Sequence, residues 1–152
     1  MFKFIILLAS FLLPFSIFAK PLYSENGIYI DGYDPVSYLK SNTAKKGKKE
    51  ISIEHRKLKI YFSSEENKKL FVSEPEKYSI AYGGYCAYAM AKSGDLVSVD
   101  PETFKVINGK VYLFYNAFFI DTLKKWNKLD ESVQLKQANS RWKDHETVEA
   151  NP

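Results

Sequence analysis

The clearest hydrophobic pattern in the chain lies in residues 103–116, TFKVINGKVYLFYN. Two alternating apolar runs flank Asn108-Gly109, the pair that two-residue β-hairpin turns prefer because both residues tolerate a positive φ angle. The second run alternates between two faces, which hold Val111, Leu113 and Tyr115 and, opposite them, Tyr112 and Phe114. Both faces are apolar, so we expect this hairpin to be covered by other elements on both sides.

Two stretches before this hairpin also predict strands. Ile28 and Ile30 indicate a short strand, because apolar residues alternate there with a period of two. The segment ISIEHRKLKIYF indicates two strands, at 51–54 and 58–62, that are joined by a turn at 55–57.

Two helix starts are predicted from residues that favour helix N-termini. Asp34-Pro35 predicts a short helix, because Asp caps helices and Pro fits the first helical position. Ser63 with Glu66 three residues later fits a capping box, which predicts Ser63 as the cap of a second helix.

Residues 75–94 predict further helix with an interruption. Pro75 suits the first turn of a helix, and Ser73 with Glu76 repeats the capping pattern. Gly83-Gly84 disfavours helix by about 1 kcal/mol per glycine relative to alanine. We therefore expect a kink or the close approach of another group there, with helix resuming over 85–92 and ending at Gly94.

The C-terminal part predicts helix from Ala117 onward. Its apolar stripe is formed by Phe118, Leu123, Trp126 and Leu129 and, at looser spacing, by Val133, Leu135, Ala138 and Trp142. Together these elements predict an α+β fold: a single compact domain of short antiparallel β-hairpins packed with helices, with a helical C-terminus.

Residues 1–19 have the layout of a secretory signal peptide. Lys3 is followed by the uncharged run 4–19, which ends in the small residue Ala19. The alternative is an uncleaved anchor, but a spanning helix needs about 20 apolar residues and Pro14 interrupts this run. We expect cleavage after Ala19, export to the periplasm or the medium, and no stable membrane span afterwards. The remaining residues, 20–152, suit one domain.

The composition of the chain limits which classes of molecule it is expected to bind. The formal net charge is +4, and loss of Lys3 would leave +3, with no basic stripe of the kind that nucleic-acid modules carry. The basic cluster in SNTAKKGKKE reads as a solvated loop, with weak contact to an anionic lipid or polymer as the alternative. The single cysteine, Cys86, excludes an internal disulfide. It is a free thiol, a metal ligand, a buried apolar side chain or half of an intermolecular bridge.

Cys86 lies in the segment YGGYCAYAM at 82–90. On a helix, Cys86 and Met90 at i and i+4 would face the same way, and thiolate with thioether suits a soft ion such as Cu⁺. Tyr82 lies four residues before Cys86 and could line the same pocket. Burial is the competing explanation, because a free cysteine packs like a small hydrophobic residue.

Four motifs in order resemble the YHS domain family, and in particular its exported branch of YHS domain-containing (seleno)proteins. They are GYDPVSYL, IYFSSEENKKLFVSEPEKY, YGGYCAYAM and INGKVYLFYN, and the resemblance covers roughly Gly27 to Trp142. The resemblance implies a YHS-like α+β fold. Some relatives carry selenocysteine, and the resemblance places it at Cys86, which implies a chemically reactive position.

This chain departs from the metal-associated members of that family at their cysteine positions. The resemblance places those cysteines where Ser37, Ser63 and Asn67 stand here. None of the three is a good ligand for Zn²⁺ or Cu⁺. The cysteine-rich metal site is therefore not expected, and any soft-metal chemistry would centre on Cys86.

We expect an exported binding module rather than an enzyme, with a small ligand or a metal ion, copper first, as its partner. The candidate ligand-binding residues are Cys86, Tyr82, Tyr33 and Asp34, and the candidate metal ligands are Cys86, Met90 and His55. Two alternatives stay open. One is a single-thiol redox protein acting through Cys86, which would need a partner thiol; the other is a non-catalytic interaction domain in which Cys86 is merely buried.

Overall fold

The computed structural model of the protein describes residues 17–145 and 147–149. Its α-helices are α1 (Pro35–Ser41), α2 (Glu65–Ser73), α3 (Pro75–Tyr78), α4 (Ala87–Lys92), α5 (Thr122–Trp126) and α6 (Glu131–Trp142). Its strands are β1 (Ile17–Ala19), β2 (Ser24–Glu25), β3 (Ile28–Tyr29), β4 (Lys48–His55), β5 (Leu58–Phe62), β6 (Asp100–Ile107), β7 (Lys110–Phe114), β8 (Asn116–Ala117), β9 (Ile120–Asp121) and β10 (Thr147–Glu149). Ile30–Gly32 and Ala81–Gly84 form 3₁₀ helices.

The strands form four small sheets. The largest has the order β2-β3-β5-β4, in which only the β3–β5 pair is parallel. The antiparallel pairs β6–β7, β8–β9 and β1–β10 form the others. The protein is thus α+β with a helical C-terminal part, as predicted. Within the described residues, every helix is too short or too polar to cross a membrane.

Strand β7 divides the interior into two hydrophobic clusters. The Phe62 cluster consists of Tyr29, Ile30, Tyr33, Val36, Tyr38, Ile60, Phe62, Phe71, Tyr78, Ile80, Val111 and Leu113. The Trp126 cluster consists of Ala81, Tyr82, Ala87, Met90, Ala91, Ile107, Tyr112, Phe114, Trp126 and Ala138. Alternate residues of β7 therefore enter opposite clusters. The prediction of cover on both sides is confirmed for β7, whereas Val106 on β6 is exposed.

The start of α1 forms as its sequence predicts. The Asp34 carboxylate accepts the backbone N–H of Val36 at 2.9 Å, and Pro35 occupies the first helical position. The helix ends at Ser41 and is followed by Asn42 as its C-cap, whose φ of 49° is left-handed, a conformation that Asn tolerates better than most residues.

Two predicted caps are wrong. Ser64, not Ser63, caps α2 by accepting the backbone N–H of Asn67 at 3.1 Å, because the hydroxyl and backbone N–H of Ser63 donate to Asp34 instead. Ser73 does not cap α3. Its hydroxyl donates to the carbonyl of Leu70, which lies in the last turn of α2.

The predicted helix at 117–121 is also wrong. This segment is the β8–β9 hairpin, which turns through Phe118 and Phe119. The apolar stripe is only partly buried, because Trp126 and Ala138 lie in the core whereas Leu129 and Val133 are exposed. The stripe is divided between two separate helices, α5 and α6, and is not one continuous apolar face.

The glycine pair interrupts the helix and also meets a neighbour, as expected. Tyr82, Gly83 and Gly84 all have positive φ angles, of 53°, 65° and 96°. The backbone of the N-terminal segment lies against them, and Tyr23 N–H donates to the Gly83 carbonyl at 2.9 Å. A Cβ at Gly83 would lie 2.1 Å from the carbonyl oxygen of Pro21. Helix then resumes at α4, two residues later than predicted.

Replacing Gly83 by alanine should therefore destabilise the protein more than the same change at a turn glycine. Gly109 has a positive φ of 74° but open space where an added Cβ would lie, so Gly109→Ala should cost only about 1 kcal/mol. Gly83→Ala adds a backbone collision and should cost about 2–4 kcal/mol. Urea unfolding of the two variants measures the difference. Equal losses would show that the N-terminal segment does not pack against Gly83.

Candidate functional site

Cys86 is a fully buried thiol at the start of α4. Its sulfur accepts the backbone N–H of Tyr115 at 3.4 Å and lies 3.5 Å from the Thr122 hydroxyl. That hydroxyl donates its proton to the carbonyl of Tyr115 at 2.8 Å, so the thiol is the donor toward Thr122. Cys86 thus ties α4 to the end of β7 and to the start of α5.

Met90 lies one turn further along α4 and is fully buried in the Trp126 cluster. Its backbone N–H donates to the Cys86 carbonyl at 3.0 Å. His55, the third predicted metal ligand, is exposed at the end of β4, where its ring packs 6.1 Å from that of Phe71. Among the residues that the structure describes, no three His, Cys, Asp or Glu side chains form a group that could hold a metal ion.

Asp34 is fully buried and forms the centre of a separate polar cluster. Its Oδ2 accepts hydrogen bonds from Ser63 N–H at 2.8 Å, Ser63 Oγ at 2.6 Å and Asn67 Nδ2 at 2.6 Å. Ser37 Oγ donates to the backbone carbonyl of Asp34 at 2.7 Å and accepts Lys45 N–H at 3.2 Å. The carboxylate therefore joins α1 to the junction of β5 with α2.

The same three positions are those at which the family resemblance would place metal-binding cysteines. Ser37, Ser63 and Asn67 come from different elements, yet each hydrogen-bonds to Asp34. The amide oxygen of Asn67 accepts a further hydrogen bond from the Lys40 ammonium at 3.3 Å, so the polar groups of the three residues are engaged in a hydrogen-bond network.

Tyr33 has its side-chain contacts with Glu102 and Lys46. Its hydroxyl donates to Glu102 Oε1 at 2.8 Å, and the Lys46 ammonium lies 4.0 Å from its ring centroid. Burial and the hydrogen bond to Glu102 raise the pKa of Tyr33 to about 12. The candidate ligand-binding residues are thus distributed over several places, and the structure does not bring Tyr33 and Asp34 to Cys86.

Tyr82 and His55 do share a cavity. It has a volume of about 480 Å³, within the range of roughly 300–1,000 Å³ that is usual for small-molecule sites. Its apolar and aromatic wall is formed by Leu22, Tyr29, Ile60, Phe71, Pro75, Ile80, Ala81, Tyr82, Gly83, Tyr112 and Trp142. The polar and charged members are Lys20, His55, Arg56, Glu76, Ser79, Lys110 and Asn139. Cys86 and Met90 are absent from its lining.

The cavity lies where the Phe62 and Trp126 clusters meet. Tyr82 is held there by a hydrogen bond from its hydroxyl to Asn139 Oδ1 at 3.0 Å, and its ring packs against Tyr112 and Trp142. Burial raises the pKa of Tyr82, and burial together with the Glu131 carboxylate raises that of Tyr112. Both phenols are therefore neutral hydrogen-bonding groups at pH 7.

Within the described residues, the hydrogen bonds of two cations at the cavity go to neutral oxygens. Arg56 donates to the backbone carbonyl of Lys20, and Lys110 donates to Ser79 Oγ at 2.6 Å and to the Glu76 carbonyl at 3.4 Å. Burial lowers the pKa of Lys110, although the nearby Glu76 carboxylate opposes this. Neither cation forms an ion pair within the described part of the chain.

Sequence reasoning missed Arg56 and Lys110. Both look like ordinary surface cations beside a hairpin turn. One signal was present: the turn predicted at 55–57 contains none of the Asn or Gly residues that such turns prefer. In the structure Arg56 and Lys57 have positive φ angles, of 51° and 64°. Such outliers occur more often at functional sites than elsewhere.

Comparisons with protein-family profiles, with curated proteins and with solved structures found no match to this chain.

The Asp34 cluster generates a prediction about stability. Asp34→Asn keeps the shape but replaces one acceptor oxygen by a donor, which would face N–H or O–H groups that also donate. We expect a loss of about 2–4 kcal/mol in the free energy of unfolding, measured in urea. The matched control is Asp130→Asn, because Asp130 caps α6 at an exposed position and Asn caps equally well. Similar small losses in both variants would contradict the network.

The burial of Cys86 generates a second prediction. Because the thiol is fully buried and hydrogen-bonded, a thiol reagent should label the native protein at least about 100-fold more slowly than the urea-unfolded protein. An exposed thiol, introduced as Val72→Cys in a Cys86→Ala background, is the control and should react quickly, since Val72 is exposed. Native labelling of Cys86 at the rate of that control would show an accessible, reactive cysteine.

Proposed function

We propose that this protein is a binding module for a small amphipathic organic anion, with the site in the cavity between the Phe62 and Trp126 clusters. One observation carries the proposal: an aromatic cavity of about 480 Å³ has Arg56 and Lys110 in its lining, and their hydrogen bonds go to neutral oxygens. Apolar pockets with a few placed polar groups are the usual form of small-ligand sites.

The apolar wall of the cavity suits the flat aromatic or acyl part of such a ligand. The ring of Tyr82 packs at a steep angle against those of Tyr112 and Trp142 on one side, and Phe71 lines the cavity as well. An apolar group that enters this space leaves water and gains about 25 cal/mol for each square ångström of apolar surface that it buries.

The charge of the site suits an anionic head. Among the described residues that line the cavity, Glu76 is the only carboxylate beside the cations Lys20, Arg56 and Lys110. Burial already disfavours the charged form of Lys110 and lowers its pKa, so a bound anion would stabilise the ammonium and raise that pKa again. Carboxylate, sulfonate and phosphate monoester groups share this chemistry.

Membership of the YHS family is part of this proposal. The convergence of Ser37, Ser63 and Asn67 on Asp34 supports the alignment of motifs from which the resemblance was drawn. A copper site at Cys86 and Met90, and a single-thiol redox reaction at Cys86, stay predictions from the sequence.

A pair of matched probes tests the proposal. 8-Anilinonaphthalene-1-sulfonate and N-phenyl-1-naphthylamine share one aromatic body, but only the first carries a sulfonate. We expect the sulfonate to bind in one-to-one stoichiometry and about tenfold or more tighter than the neutral probe, measured by fluorescence titration. Equal affinity, or preference for the neutral probe, would contradict an anion site.

Variants locate the bound probe. Arg56→Gln and Lys110→Gln should each weaken sulfonate binding by about tenfold, since each removes a charged hydrogen-bond donor. Neutral-probe binding should change little. Lys57→Gln is the matched control, because Lys57 lies in the same turn but outside the cavity lining. Equal effects of Arg56→Gln and Lys57→Gln would show a general electrostatic effect instead.

A further inference from the structure

The tip of the β8–β9 hairpin presents two phenylalanines to solvent. Phe118 and Phe119 have exposed fractions of 85% and 110%, and the adjacent Ile120 has 43%. Most aromatic side chains of this protein lie in one of the two clusters or pack against them. The Phe-Phe tip thus has apolar surface that the fold itself does not bury.

The tip also has an unfavourable backbone. Phe118 and Phe119 have positive φ angles of 49° and 65°, which side chains with a Cβ rarely adopt. Asn26-Gly27 and Asn108-Gly109 make the same kind of two-residue turn between strands, with the preferred residues. Because both rings are exposed, packing against the described part of the chain does not account for phenylalanine at 118 and 119.

Basic residues follow the tip along the chain. Lys124, Lys125 and Lys128 are exposed on or just after α5. Lys124 pairs with Asp121 at 3.4 Å, whereas Lys125 and Lys128 form no ion pair within residues 20–145. Asp121 is the one acid in residues 118–128, so three lysines against it give this segment a net charge of +2.

We propose that the Phe118–Phe119 tip inserts into the surface of an anionic lipid membrane, with Lys124, Lys125 and Lys128 at the level of the headgroups. A protein partner would need a broad complementary face, since stable interfaces bury about 800 Å² on each side, and this tip has only three exposed apolar residues in a row. A lipid surface needs no such complementarity. Aromatic side chains can insert between its lipids, and its anionic headgroups attract nearby cations.

Vesicle binding tests this directly. The protein is produced from its full sequence in an exporting host and used as the host processes it, with phosphatidylcholine vesicles that contain or lack phosphatidylglycerol. In Phe119→Trp, we expect the added tryptophan fluorescence to shift to shorter wavelength on the anionic vesicles and to be quenched by brominated lipid. Val72→Trp, on α2, is the control and should show neither change. An unchanged spectrum for Phe119→Trp would overturn the proposal.

A second variant separates binding from folding. Phe118→Asn/Phe119→Gly installs the preferred turn pair, so it should raise the melting temperature by about 4 °C while weakening binding to anionic vesicles at least about tenfold. Lys125→Gln and Lys128→Gln should each weaken that binding by about fivefold. Unchanged vesicle binding in the double variant would overturn the proposal. So would a wild-type dimer that the double variant abolishes, because the tip would then bind a second copy of the chain.

Discussion

Strand β7 has to bury both of its faces, and most of the molecule is arranged around that requirement. Val111 and Leu113 enter one cluster while Tyr112 enters the other. Two hydrophobic layers therefore meet along a single five-residue strand. The cavity lies where those layers join, with Lys110 and Tyr112 contributed by β7 itself. The thiol of Cys86 is fixed by the backbone one residue beyond the strand's end.

Polar groups stabilise the fold around Asp34, whereas at the cavity they line the candidate binding site. Around Asp34 the donors of Ser63 and Asn67 meet a carboxylate acceptor, so the cluster holds α1 against α2 and leaves nothing for a ligand. At the cavity, Arg56 and Lys110 are bonded to neutral oxygens, so no ion pair compensates their charges within the described residues. A structural site and a candidate binding site therefore differ in whether their polar and charged groups are compensated within the described residues. The presence of the single cysteine does not distinguish them.

Local signals predicted much of the fold, because each depends on a few neighbouring residues. Asn108-Gly109 predicted a hairpin, Asp34-Pro35 a helix start, and Gly83-Gly84 an interruption with a close neighbour. The failures arose where distant groups competed or where local preference was overridden. Ser63 lost its capping role to Asp34, 29 residues away in sequence. Phe118 and Phe119 adopted a turn that their own preferences oppose.

The site was predicted only in part for the same reason. Tyr82 and His55 reach the cavity, but the elements that carry them converge only in the folded chain, and Cys86 faces Thr122 instead. We propose that binding occurs at the cavity and not at Cys86. Backbone-amide NMR during titration with an aromatic sulfonate tests it most directly. We expect shifts concentrated at His55, Arg56 and Lys110; shifts concentrated at Cys86 and Thr122 would contradict binding at the cavity.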